Sequence, residues 1–401
     1  MRRLILTLPF IFAFPVHAET PTNETLSAEI GRTGLSATEA RLSALPNPTD
    51  EDRFTMGGVQ FLRAVEISFQ IRWRYGMTDP TGMVPFLRLP LEDNPTPAAF
   101  DPTSIRTIFQ QASDQLDLAK ASLTAIPETS DFGAVIALDD IWLDVNANTL
   151  REPDEALMAL LAPSLGWDTS PDAPIPALTI RFDVADASWL AAYADMLNAA
   201  SHMVLAYDPT QPIIKVLAAR AAMDKLGPVN EDMFFGGRHV PDSFDILAMV
   251  LATLNQPPDR VHITAVQTHL QAMVDENRQF WTRVAVETDD VQEWLPNPRQ
   301  HAAMGIEVPS DAGPKWLYVL DQVEAILQGK QLVPFWRVGP PAGLNMAKFF
   351  ADPAPIDVAG WIQGWAALPY LQTGTLASPD AIDAFDQATM GRSMLFALYF
   401  N

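Results

Sequence analysis

The stretch DVADASWLAAYADMLNAASHMVLAY, from Asp183 to Tyr207, sets the expected fold because it is long and amphipathic. The stretch from Pro257 to Thr288, PPDRVHITAVQTHLQAMVDENRQFWTRVAVET, has the same character. Apolar residues that recur every three or four positions form one face of an α-helix. The segment from Asp50 to Arg74 carries such a stripe, formed by Phe61, Leu62, Val65, Phe69 and Trp73. These patterns predict helices as the main element of the chain.

Strand signals are few. Short runs typical of strands occur in LTIRFDV (178–184) and QLVPFWRV (331–338). The 34 prolines fall mostly between the helical segments, where they mark turns and loops. We therefore predict an all-α or α-rich, multi-helix globular protein with long proline-rich loops and at most a few short strands.

The first twenty residues, MRRLILTLPFIFAFPVHAET, have the pattern of an export signal. Arg2 and Arg3 precede an apolar run of 13 residues, which is shorter than the length of about 20 that spans a bilayer. Residues 1–18 are therefore predicted to be a signal peptide, and the mature chain is expected to begin at Glu19. The chain has no cysteine, which excludes disulfides and thiolate metal sites and favours a periplasmic or secreted bacterial protein.

A segment rich in proline and other turn-forming residues, PSLGWDTSPDAPIPA (163–177), indicates a linker at residues 164–177. This linker would separate an N-terminal helical unit (19–163) from a C-terminal helical unit (178–401). A single domain with a long surface excursion remains the alternative.

The formal net charge of −23 indicates which partners the chain disfavours. Such a field repels nucleic acid and anionic membrane surfaces, and it favours cations and cationic partners. Beyond the N-terminal run the sequence has no long uncharged apolar stretch, so we expect no membrane span in the mature chain. A protein or polymer partner stays open, and the oligomeric state is not indicated.

The stretch LDVNANTLREPDEAL, from Leu143 to Leu157, carries the clearest chemistry in the sequence. Calcium takes six to eight oxygen ligands at about 2.3–2.6 Å, and a twelve-residue loop delivers them in sequence order. Counted from the first aspartate, positions 1, 3, 5, 7, 9 and 12 are Asp144, Asn146, Asn148, Leu150, Glu152 and Glu155. Position 7 would contribute its backbone carbonyl, and the acidic residues around Pro153 suit a helix that begins there.

At those six positions the stretch resembles an EF-hand-type calcium-binding loop. The resemblance implies calcium as a bound ion and covers no other part of the chain. Two positions depart from the pattern: Thr149 replaces the glycine of position 6, where φ is positive, and Arg151 replaces the usual aliphatic residue of position 8. No second loop of this pattern occurs, so we expect a solitary, structural site. The alternative is an ordinary turn rich in Asp and Asn that caps a helix.

Two further segments contain candidate catalytic residues. In FFGGRHVPDSFD, Arg238 and His239 lie in a glycine-containing loop that could bind an anion or serve acid–base chemistry. In ETDDVQEWLPNPRQ, Glu287 and Asp290 belong to an acidic cluster, and paired carboxylates hydrolyse glycosides. A plain connecting loop and a solvated helix end are the alternative interpretations of these segments.

Other catalytic signatures are missing from the sequence. His262 and His269 lie seven residues apart on one predicted helix, but no histidine motif with zinc-ligand spacing accompanies them. The sequence also has no nucleophile-elbow serine motif and no phosphate-binding glycine loop.

Taken together, these features predict an exported calcium-binding protein of the bacterial envelope with a binding or structural role. One alternative is a secreted polymer-degrading hydrolase or lyase that uses calcium as a structural ion. A second alternative is an acidic assembly or interaction factor that holds a basic partner.

Overall fold

The computed structural model describes residues 25–77, 84–87, 89, 91–160, 178–227 and 240–400. The predicted signal peptide (1–18), the predicted linker (164–177) and the candidate residues Arg238 and His239 lie outside the described residues.

Three helices form the N-terminal part of the fold: α1 (Leu26–Ser43), α2 (Asp50–Tyr75) and α3 (Ser104–Thr124). A capping box begins α2, in which Thr49 accepts from the backbone N–H of Asp52 and the Asp52 carboxylate accepts from that of Thr49. Helix α1 is kinked at Gly34, where φ is +79°. A Cβ atom there would lie 3.0 Å from the ring of Trp142, so both the backbone and the packing favour glycine.

Four helices follow in the middle of the chain: α4 (Val184–Ala206), α5 (Thr210–Asp224), α6 (Val240–Leu254) and α7 (Arg260–Val284). Helix α4 is the stretch that opens the sequence analysis, and it packs against both α3 and α7. Many of its buried residues are alanines, which allow neighbouring helices to approach it on several sides. Asp183 and Asp186 form a capping box at its N-terminus.

The C-terminal part contains α8 (Ala312–Leu327), α9 (Met346–Ala351), α10 (Val358–Gln363), α11 (Asp380–Ala388) and α12 (Ser393–Phe400). Aromatic residues of these helices pack on α4 and α7, among them Trp316, Phe385 and Phe400. The helix-rich composition confirms the predicted fold class.

The strands are short and form two small sheets. β1 (Ala134–Ala137) pairs antiparallel with β2 (Thr179–Phe182). β3 (Val333–Pro334), β4 (Ala342–Leu344) and β5 (Leu371–Thr373) form an antiparallel sheet in that order. β2 and β3 fall within the two segments with strand signals in the sequence.

The segments before and after residues 164–177 contribute side chains to the same hydrophobic core. One cluster joins Ile108, Phe109 and Leu116 of α3 to Ala194 and Leu205 of α4. The pairing of β1 with β2 also crosses this position in the chain. The division into two units stays a prediction, but the described residues on its two sides are packed together.

Among the described helices, none combines the length and the apolar character that a bilayer crossing requires.

Candidate functional site

The calcium-loop-like segment is held closed at its two ends. Trp142 and Ala156 form an antiparallel bridge, and the Leu143 N–H donates to the Glu155 carbonyl at 2.9 Å. A strand, β1, leads into the loop, and a short 3-10 turn (Pro153–Glu155) leads out of it into helical residues at 157–160. The sequence predicts a helix that begins at Pro153. The structure has a 3-10 turn at that position, and helical residues begin at Leu157.

The side-chain oxygens of positions 1, 3 and 5 point into the loop. The Asn148 N–H is 3.0 Å from both the Asp144 Oδ1 and the Asn146 Oδ1, which share it as acceptors. The Asp144 Oδ2 accepts from the Thr149 N–H at 3.0 Å, and the Asn148 Oδ1 accepts from the Leu150 N–H at 2.7 Å. These contacts wrap the backbone around the first aspartate, and they bring the Asp144 and Asn146 oxygens to the same N–H group.

Position 6 adopts the backbone conformation that the loop pattern requires. Thr149 has a φ of +63°, in the left-handed region that glycine occupies most easily. Ala147 also has a positive φ, at +59°. A residue other than glycine in this region costs about 1–3 kcal/mol unless its surroundings compensate. The chain therefore has a positive φ at position 6 although the threonine side chain disfavours that conformation.

The two glutamates at the end of the loop are tied to its backbone and amides. Glu155 is 2% exposed, and its oxygens accept from the Val145 N–H at 2.8 Å and the Glu152 N–H at 3.1 Å. The Glu152 oxygens accept from the side-chain amides of Asn146 at 2.8 Å and Asn148 at 3.2 Å. Burial raises the pKa of Glu155, and the Asp144 and Glu152 charges raise it further.

Helix α2 anchors the first position of the loop. Gln70 donates to the Asp144 carbonyl at 2.9 Å, and the Glu66 Oε1 accepts from the Asp144 N–H at 2.8 Å. Glu66 is buried and pairs with Arg63, and burial raises its pKa. The loop is thus fixed to the N-terminal helices by its backbone, which leaves the Asp144 carboxylate for the loop interior.

One acid from outside the loop, Glu92, lies beside the acids of the loop. A cavity of about 50 Å³ is lined by Glu92, Asn146, Glu152, Asp154 and Glu155. A hydrogen bond with Asp154, together with its charge, raises the pKa of Glu92. This concentration of acidic side chains favours a cation at the loop.

The donor types suit calcium, but the carboxylates have other partners in this conformation. Within the described residues, no three or more His, Cys, Asp or Glu side chains are arranged to hold a metal ion. Half of the six expected calcium ligands are amide or carbonyl oxygens and half are carboxylates. In this conformation Glu152 accepts from the Asn146 side-chain amide and Glu155 accepts from the Glu152 N–H. A bound calcium ion would exchange some of these hydrogen bonds for coordination.

The candidate catalytic acids Glu287 and Asp290 have separate partners. Glu287 accepts from Gln300 at 3.2 Å, and burial raises its pKa to about 7, with the nearby Asp183 charge adding to the shift. Asp290 is exposed and accepts from the N–H and the Nδ1 of His301, both at 2.7 Å, which lowers its pKa. The structure therefore gives the two carboxylates opposite environments and does not present them as a hydrogen-bonded pair.

A cluster of three histidines that the sequence did not indicate lies between α4 and α7. The His202 Nδ1 is 2.8 Å from the His262 Nδ1, and the His269 ring stacks on that of His202 with centroids 5.3 Å apart. Ser113 of α3 lies 3.4 Å from the His202 Nε2. Burial, together with the two neighbouring imidazoles, lowers the pKa of His202 to about 4.

The buried carboxylate of Asp195 is central to the polar contacts around these histidines. Asp195 is 1% exposed and contacts the His269 Nδ1 at 2.7 Å and the Lys120 Nζ at 2.7 Å. Asn198 accepts from Ser113 at 2.7 Å and donates to Asp117 at 2.7 Å. These contacts connect α3, α4 and α7 through hydrogen bonds and ion pairs inside an otherwise apolar interface.

The spacing of these residues contains the signal that could have located the cluster. Asp195 and His202 are seven residues apart on α4, and His262 and His269 are seven apart on α7. Asp195 meets His269 and His202 meets His262, so the helices run antiparallel and the pairs align. Residues seven apart on a helix share a face, but which helices pack together is a tertiary property.

Comparison with known proteins gives no relative: no protein-family model, curated protein or solved structure matches the chain.

Proposed function

We propose that this chain is an exported calcium-binding protein of the bacterial envelope, with one structural calcium ion in the loop Asp144–Glu155. The observation that supports it most directly is the backbone path of the loop. Asp144 and Asn146 share the Asn148 N–H as acceptors, and Thr149 adopts a positive φ at position 6 despite its side chain. An ordinary helix cap does not require that conformation at that position.

The proposed ligands follow the loop numbering. Asp144, Asn146 and Asn148 contribute side-chain oxygens and Leu150 contributes its carbonyl. Glu152 acts directly or through water, and Glu155 closes the coordination shell. In the described conformation Glu155 is buried beneath the loop. This burial is the main cause of its raised pKa, and repulsion from the charges of Asp144 and Glu152 adds to it. A divalent cation would relieve that repulsion.

A structural role is supported by what the loop connects. Its first residue is hydrogen-bonded to Gln70 and Glu66 of α2, and its ends bridge the segment after β1 to the helical residues at 157–160. Calcium bound in the loop would therefore stabilise the packing of α2 against the segment after β1 and the helical residues at 157–160. Because the loop is solitary and position 6 is not glycine, we expect a Kd of about 10⁻⁵ to 10⁻³ M, suited to extracellular calcium.

Thermal unfolding of the mature chain tests the proposal. A ligand that binds only the folded state stabilises it by RT ln(1 + [Ca]/Kd), which is about 0.4–2.7 kcal/mol at about 1 mM calcium for that range of Kd. We expect a higher Tm in calcium than in chelator, and a smaller effect of magnesium, whose octahedral shell fits such a loop poorly. Identical melting curves in calcium, magnesium and chelator would contradict the proposal.

Two variants separate binding by the loop from a general charge effect. Glu155→Gln should remove most of the calcium-dependent increase in Tm, because it weakens the last ligand of the loop. Asp139→Asn is the matched control, since Asp139 lies on the approach to the loop but outside positions 1–12. Equal loss of the calcium effect in both variants would assign that effect to the net charge of the chain.

Export is the second part of the proposal and has its own test. The basic N-terminus, the apolar run and the small residue Ala18 support cleavage before Glu19. Expression in a bacterial host should give a chain in the periplasm or medium whose intact mass corresponds to residues 19–401. A full-length chain retained in the membrane fraction would contradict cleavage.

A further inference from the structure

A pocket of about 180 Å³ lies between α1, α2, α4 and the β1–β2 pair. Five aromatic residues form part of its lining: Phe54, Phe61, Phe182, Trp189 and Trp294. Three pairs of their rings are in contact, with centroid distances of 5.2 Å for Phe54–Phe182, 6.1 Å for Phe182–Trp294 and 5.2 Å for Trp189–Trp294. Phe54, Phe182, Trp294 and Trp189 thus form a continuous aromatic wall in the pocket.

The wall of the pocket exposes only apolar atoms. Three of its residues have a polar side-chain atom. The Trp189 Nε1 donates to the Tyr399 carbonyl at 3.0 Å, whereas the Thr55 Oγ1 and the Trp294 Nε1 are sealed from solvent and have no hydrogen-bond partner among the described residues. A buried polar group without a partner costs about 1–3 kcal/mol. The fold therefore keeps the pocket surface apolar at a cost to its own stability.

Two adjacent glycines in α2, Gly57 and Gly58, differ in what surrounds them, and the second leaves space in the pocket. A Cβ atom on Gly57 would lie 2.5 Å from the Leu123 Cγ, so close packing of α2 on α3 requires glycine there. A Cβ atom on Gly58, which lines the pocket, would meet nothing within 4 Å. Glycine inside a helix costs about 1 kcal/mol relative to alanine, and packing does not explain it at Gly58. Gly58 does leave the pocket open.

The size and the walls of the pocket define the ligand class. A cavity of about 150 Å³ with apolar walls is large enough to bind benzene. Aromatic rings also pack favourably against one another at centroid distances of about 4.5–7 Å. We propose that this pocket binds a single-ring aromatic molecule without charged or strongly polar groups. The ring packs against the Phe54, Phe182 and Trp294 wall and beside Gly58.

Isothermal titration of the mature chain with toluene tests the proposal, with phenol as a second probe. We expect saturable binding of one toluene per chain, and weaker binding of phenol, because the wall offers its hydroxyl no exposed partner. The absence of saturable toluene binding up to its solubility in water would overturn the proposal. Tighter binding of phenol than of toluene would overturn the assigned ligand class.

Variants at Gly58 show whether toluene occupies this pocket. Gly58→Leu fills the space and should weaken toluene binding at least tenfold, whereas Gly58→Ala, the control for helix propensity, should stay within about threefold of the wild type. Ile136→Phe fills the pocket from β1 and provides a second test if Gly58→Leu does not fold. Unchanged binding in a folded, filled variant would place toluene elsewhere and overturn the proposal.

Discussion

At the scale of the residue, Thr149 adopts a conformation that its own side chain disfavours. It has a φ of +63° in a loop whose neighbouring N–H groups are bound by the side chains of Asp144 and Asn146. Its hydroxyl donates to the Asn148 carbonyl at 2.7 Å, a contact at an exposed position that contributes little. The backbone conformation therefore comes from the loop as a whole and is opposed by the residue that adopts it.

Replacing this residue tests whether strain is stored there. Thr149→Gly should raise the free energy of unfolding in chelator by about 1 kcal/mol, because glycine adopts a positive φ without a steric penalty. Urea unfolding measures the change. Thr264→Gly, at an exposed helical position of α7, is the control and should be slightly destabilising. Destabilisation by Thr149→Gly comparable to that control would mean that the loop is not strained at position 6.

Glu287 gives the chain a pH dependence of defined sign. Its pKa is about 7 in the folded chain against an ordinary value of 4.5, so the folded state binds this proton more tightly than the unfolded state. Stability from this group is therefore greatest below about pH 4.5 and is lost as pH rises towards 7. Glu287→Gln removes the charge that burial disfavours.

We expect the Glu287→Gln variant to have a higher Tm than the wild type at pH 8, and a smaller difference from it at pH 5. Because Glu287 is partly exposed, solvent screening makes the effect smaller than the full pKa shift implies. Melting curves at the two pH values measure it. Asp290→Asn is the control with the opposite sign, since the pKa of Asp290 is lowered by His301. A Glu287→Gln variant no more stable than the wild type at pH 8 would contradict the assigned environment.

At the scale of elements, α2 has two adjacent glycines, Gly57 and Gly58. Replacing each with alanine should change the free energy of unfolding in opposite directions. Gly57→Ala places a Cβ atom 2.5 Å from Leu123 on α3, and such overpacking typically costs about 1–3 kcal/mol. Gly58→Ala meets no neighbouring atom and should gain about 1 kcal/mol from helix propensity. Urea unfolding of the two variants makes the comparison. Changes of the same sign in both would contradict the packing of α2 on α3.

The elements also show what periodicity could and could not predict. The stripe in α2 was visible because Phe61, Val65 and Phe69 recur at helical spacing, and a helix spans them. The histidine cluster was not predicted, since His202, His262 and His269 meet only when α4 and α7 pack antiparallel. Sequence spacing places residues on a face of one helix, whereas the partner of that face depends on tertiary packing.

The calcium-loop-like segment was more predictable because its chemistry is local. Asp144, Asn146 and Asn148 are close in sequence, so their alternation alone predicts oxygens on one side of a turn. The environment of the predicted acids at Glu287 and Asp290 was less predictable, since burial and the contact with His301 separate their pKa values. The apolar pocket has no local signal, because its walls come from helices and strands far apart in sequence.

At the scale of the whole molecule, α4 joins the described parts of the fold. It shares core residues with α3 on one side and with α7 and α8 on another. The calcium-loop-like segment packs on α1 and α2 through Val145 and the adjoining Leu143, and it is hydrogen-bonded to α2, so an ion bound there would stabilise the N-terminal packing. The net charge of −23 gives the protein a negative electrostatic field, which would attract a calcium ion to the loop.

Equilibrium dialysis of the mature chain against calcium tests the central claim most directly. The proposal predicts one calcium ion bound per chain at millimolar free calcium, with a Kd of about 10⁻⁵ to 10⁻³ M. Binding should fall at least tenfold in Asp144→Ala, which removes the first ligand, and should persist in Asp139→Asn. Absence of bound calcium in the wild type at millimolar concentration, or equal binding by the folded Asp144→Ala variant, would contradict the assignment of calcium to this loop.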